Sequence, residues 1–114
     1  MSLLFAMLLS GAQIAPPFPI RAGQCGWVHG RFRIANGSSI QRIWIVGTHH
    51  VVALYDNDDH YPRSLRRLVD SKQYRPFDSA VFGQFFICAR ERWITGHLQH
   101  VRIRNARNLV MFNR

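Results

Sequence analysis

Residues 27–55 read WVHGRFRIANGSSIQRIWIVGTHHVVALY, and the alternation inside them decides the fold. In the first third, Val28, Phe32 and Ile34 fall on one parity and Trp27, His29, Arg31 and Arg33 on the other. A strand there has one apolar face and one basic face. Gly30 shares the apolar parity but has nothing to pack, which marks a bulge or a sharp bend. Asn36-Gly37 supplies the two positive-φ residues that a type I′ hairpin turn requires. IQRIWIV then makes a second strand, with Ile43 and Ile45 on one side and Ile40, Arg42, Trp44 and Val46 on the other. Gly47-Thr48 punctuates, and residues 49–55, HHVVALY, read as a third strand.

Downstream, DNDDHYPR is a polar loop, and Ser64 is placed to cap a short helix, SLRRLVD, with Leu65, Leu68 and Val69 on one side. VFGQFFICAR is a fourth strand, apolar on both faces and therefore central. HLQHVRIR is a fifth, with Val101 and Ile103 on one parity, and NLVMF adds an edge strand. Three strands, a helix and a returning pair is the order of the OB-fold, a small Greek-key barrel. The expected fold is mainly β: a five- to six-stranded OB-like barrel or β-sandwich, with one short helix between strands 3 and 4.

Upstream, MSLLFAMLLSGA has the short apolar core and small residues of an export signal ending near Ala12. Its apolar run is too short to span a bilayer as a mature helix. A lipoprotein anchor is excluded at that point, because Ala12 stands where the lipidated cysteine must be. Residues 13–26, with three prolines and two glycines, read as an extended leader, so the β domain is expected over 27–114. Cys25 and Cys88, an even pair far apart in sequence, are expected to join in an oxidising compartment. The expected location is periplasmic or secreted; a cytoplasmic protein with two free thiols is the alternative.

Among 114 residues, 15 Lys+Arg face 6 Asp+Glu, a net charge of +9, and Lys72 is the one lysine. Guanidinium groups fork onto phosphate or carboxylate, so a polyanion or an acidic protein is the expected partner. The candidate anion-binding residues are Arg31, Arg33, Arg42, Trp44, Arg102 and Arg104. Arginine beside exposed aromatics is how OB barrels hold extended anions. Export argues against a specific nucleic acid, and a solvated arginine surface with no ligand is the competing reading.

Other chemistries fail on spacing. In a strand, His49 and His50 point to opposite faces, as do His97 and His100, so neither pair converges on a metal. The run from Asp56 lacks the glycine and glutamate of a calcium loop, since Tyr61 and Arg67 occupy those positions. A disulfide removes both thiols as nucleophiles, and no serine elbow or phosphate loop is present. Asn36-Gly37-Ser38 fits a glycosylation acceptor, though the turn already explains it. No cofactor and no catalytic residue is expected. The alternatives to a binding domain are an envelope structural protein without a ligand, or a small hydrolase using a histidine.

The segments CGWVHGRF, NG, RIWIVGT and VFGQFFIC resemble the layout of small exported bacterial proteins with a single disulfide-bonded β domain and no assigned function. That resemblance implies export and a compact β domain, and no site residues. The export reading predicts a mature N-terminus at or near Gln13. Mass spectrometry of protein recovered from its native host checks it, and retained Met1 overturns it.

Overall fold

A computed structural model describes residues 20–34, 40–54 and 61–113. The expected signal and most of the expected leader, the expected Asn36-Gly37 turn with its glycosylation triplet, and the Asp56–Asp59 run lie outside the described residues. The elements follow the expected order: β1 (Cys25–Ile34), β2 (Gln41–Ile45), β3 (Val51–Leu54), α1 (Arg63–Val69), β4 (Ser79–Ala89) and β5 (Gln99–Asn113). They close into a barrel in the order β1-β2-β3-β5-β4, with β4 returning to β1. All pairings are antiparallel except β3 with β5.

Closure depends on β1, which pairs with β2 over its second half and with β4 over most of its length. Gly30 sits where both pairings overlap, opposite Ile45 on one side and Gly83 on the other. A Cβ there would run into the side chain of Ile43 and the ring of Phe85. The inward parity is then filled by Val28, Phe32, Ile43, Ile45, Val81, Phe85 and Ile87, all buried. The alternation read from the sequence is the alternation of the barrel wall.

Three details differ from the sequence reading. Strand β1 starts at Cys25, before Trp27, and Ile20 is already in the core at 4% exposure. Buried Gln99 holds that entry segment by donating to the Ile20 carbonyl at 2.7 Å. His49 and His50 belong to the β2–β3 turn, not to the strand: Ile45 N–H donates to the His50 carbonyl at 3.0 Å. Finally, NLVMF is the far end of β5 and forms no separate edge strand.

α1 closes one end of the barrel, burying Leu65 completely and laying Leu68 and Val69 against the core. A helix of seven residues has too few internal bonds to persist alone, so this packing sustains it. Ser64 does not cap it. The helix begins at Arg63 after Pro62, whose fixed φ suits a helix start, and the Ser64 hydroxyl donates to the Ala106 carbonyl at 2.7 Å. No helix among the described residues is long and apolar enough to cross a membrane.

Cys25 and Cys88 face each other in the β1–β4 register and form a disulfide, with Cα atoms 4.0 Å apart. Such bonds persist in oxidising compartments. β5 carries two register shifts against β4, one between Phe86 and Ile87 and one between Phe82 and Gln84. At the second, Asn108 takes φ 56 and the β5 backbone crowds onto Gly83. A Cβ at Gly83 would lie 2.5 Å from Leu109 Cδ2 and 3.1 Å from the Arg107 and Asn108 carbonyl oxygens.

Two stability predictions follow from these contacts. Gly83→Ala should cost about 1–3 kcal/mol, because two of the clashing atoms are backbone. A Cys25→Ser/Cys88→Ser variant should lose about 2–4 kcal/mol, since the bond closes a separation of 63 residues. Urea unfolding of both variants checks these, and an unchanged midpoint in either case contradicts its premise.

A candidate anion-binding groove

The outward parity of β1 and β2 carries the basic residues, and the registers bring them together beside Val51 of β3. Arg31 stands opposite Trp44, Arg33 opposite Arg42, and Trp44 in turn opposite Val51. Arg31, Arg33, Ile34, Arg42, Trp44 and Val51 line one groove of about 270 Å³. Ile34 and Val51 supply apolar floor that charge alone does not reveal in the sequence.

Arg31, Trp44 and Arg33 each have their own support. The Arg31 guanidinium lies over the Trp44 ring at 5.1 Å, a cation–π contact. Trp44 is held in turn by its indole N–H, which donates to the Thr48 carbonyl at 2.8 Å. The Thr48 hydroxyl donates to the Ile45 carbonyl at 2.7 Å and accepts from the His50 N–H at 3.0 Å, so the β2–β3 turn fixes the indole. Arg33 reaches the Phe77 carbonyl at 3.3 Å. Phe77 itself is held at φ 73, a strained conformation for a side chain of that size.

Arg33 and Arg42 are like charges placed directly across two strands, a pairing that disfavours the free protein. Arg42 Nε is shielded from water and has no hydrogen-bond partner among the described residues. Nearby Tyr74 is also buried; burial pushes its hydroxyl pKa up, and the positive charge of Arg33 works against that. Guanidinium groups gathered along one groove suit an anion with oxygens on more than one side, such as a phosphodiester, sulfate ester or carboxylate chain.

Of the six residues read from the sequence, four meet here and two do not. Arg102 is opposite Cys88, beside the disulfide. Arg104 falls within the register shift between Phe86 and Ile87 and has no cross-strand partner. Among the histidines, His49 is exposed, while His50 stands edge-on to Trp93 with centroids 4.9 Å apart. Among the described residues no three His, Cys, Asp or Glu gather closely enough to hold a metal. A second groove, missed in the sequence, is lined by His29, Phe82, Gln84, Val110 and Phe112 with the backbone around Gly83 and Asn108.

His100 and Glu91 meet outside both grooves. The Glu91 carboxylate accepts from the His100 backbone N–H at 2.7 Å and contacts its Nδ1 at 2.8 Å. The backbone bond, then the ring bond, holds the Glu91 carboxyl below its ordinary value. No known protein family matches the chain, and no curated protein or solved structure does either.

Because the folded carboxyl is depressed, its stabilisation is present above the unfolded glutamate value and disappears as pH falls through the folded one. Glu91 is exposed, so that contribution is small. Carboxyl-carbon NMR should show Glu91 titrating below ordinary glutamates. His100→Ala should return only part of the shift, since the larger cause is backbone; a full return would assign the cause to the ring.

Proposed function

We propose that this chain is a small, exported, noncatalytic binding domain that holds an anionic ligand on the outer face of β1, β2 and β3. Arg33 and Arg42 grip anionic oxygens, Arg31 adds a third guanidinium, and Trp44 offers an aromatic surface. The observation that carries this reading is the convergence of three arginines and one tryptophan in a single groove, where two like charges face each other. A surface that merely needs solubility gains nothing from placing Arg33 and Arg42 in register. The disulfide supports a site of action outside the cytoplasm, where sulfated, phosphorylated or acidic polymers and acidic proteins are the available ligands.

Retention on immobilised heparin tests the proposal. The wild-type protein should bind at low salt and elute as sodium chloride rises. Arg31→Glu/Arg33→Glu should abolish retention, while Arg63→Glu/Arg67→Glu on α1, with the same charge change, should keep most of it. Equal losses in both variants would reduce the interaction to net charge and defeat the assigned groove.

A further inference from the structure

The second groove lies across Arg31 from the first, since Arg31 is opposite Trp44 of β2 and Phe82 of β4. It has a volume of about 580 Å³ and a floor on the outward face of β4 and β5, where the Phe82 and Phe112 rings stand edge-on at 5.4 Å. Val110 and Phe112 are 53% and 56% exposed. Their exposure is set by the register shift at Asn108. Ala106 points into the core, so simple alternation would send Val110 and Phe112 inward as well. The shift instead turns Leu109 and Met111 toward the core and presents Val110 and Phe112 to solvent. Bulges that re-aim side chains in this way are built features of a sheet, not defects.

Cations border this apolar face. Arg31 is directly opposite Phe82 in the β1–β4 register, so it stands between the two grooves. Arg107 lies over the Trp27 ring at 4.1 Å, and its Nε donates to Gln84 Oε1 at 2.7 Å at the groove's edge. Among the described residues, neither groove is lined by Asp or Glu.

We propose that this face docks on the surface of an anionic phospholipid bilayer. Phe82, Val110 and Phe112 enter the boundary between headgroups and acyl chains, while Arg31 and Arg107 meet lipid phosphates. The proposal rests on the anion-binding reading above. Interfacial binding needs apolar area together with attraction to anionic headgroups, and here the two adjoin. A soluble polyanion would leave Val110 and Phe112 in water. A second copy of the chain would set one arginine-bordered face against another, bringing like charges together.

Vesicle flotation with the oxidised mature chain, beginning at Gln13, tests this. Wild-type protein should float with phosphatidylglycerol–phosphatidylcholine vesicles in a salt-sensitive way, and far less with phosphatidylcholine alone. Val110→Ser/Phe112→Ser should lower partitioning onto the anionic vesicles by roughly tenfold or more, with heparin retention unchanged. Phe112→Trp should keep or strengthen binding, because an indole suits the interface. Equal flotation of the serine variant and wild type, or equal flotation with neutral vesicles, overturns the proposal. Heparin retention without flotation also overturns it, leaving a soluble polyanion or an acidic protein as the partner. Loss of both heparin retention and flotation in wild type would instead remove the underlying anion-binding reading.

Discussion

The structure depends on one steric constraint: where β1 pairs with β2 and β4 at once, the packed barrel interior leaves no room for a side chain. Gly30 meets that constraint, since Ile43 and Phe85 occupy the space a side chain would need. With glycine there, β2 and β4 both pair with β1 and the barrel closes. Closure removes most of the exposed strand edges that make open sheets prone to association. It also decides which side chains face outward together. Arg31 and Arg33 belong to the same groove as Arg42 and Trp44 because β1 carries them past β2 in that register.

Much of this was legible in residues 27–55 and 81–104. Period-2 alternation marked the inward set on β1 and β2, and strand order pointed to an OB-like barrel or a sandwich. Arg31, Arg33, Arg42 and Trp44 could be placed on outward faces by parity alone. Parity does not give neighbours across strands, however. It could not say that Arg33 and Arg42 are paired, nor that Arg102 lies beside the disulfide. Local hydrogen bonding also stays hidden: Ser64 looked like a helix cap, yet its hydroxyl serves β5.

The largest gap between sequence and structure lies in β5. Alternation breaks twice there, and each break inverts the face assigned to every residue beyond it. NLVMF therefore looked like a separate segment, and the second groove went unseen. Its only sequence trace is Gly83, whose bare backbone admits the carbonyls of Arg107 and Asn108. A glycine within an otherwise bulky apolar strand is informative about its neighbour, not only about itself.

The disulfide has a consequence for the order of assembly. Cys25 and Cys88 are register partners, so joining them before folding tells β1 and β4 how to align. A slip by one residue would turn Arg31 and Arg33 toward the core and expose Phe32. Once formed, the covalent bond makes that slip geometrically expensive. In a chain whose β3–β5 contact joins distant segments in parallel, an early fixed alignment narrows the search among misaligned barrels. The bond between two cysteines thus also protects the side of the wall on which the arginines emerge.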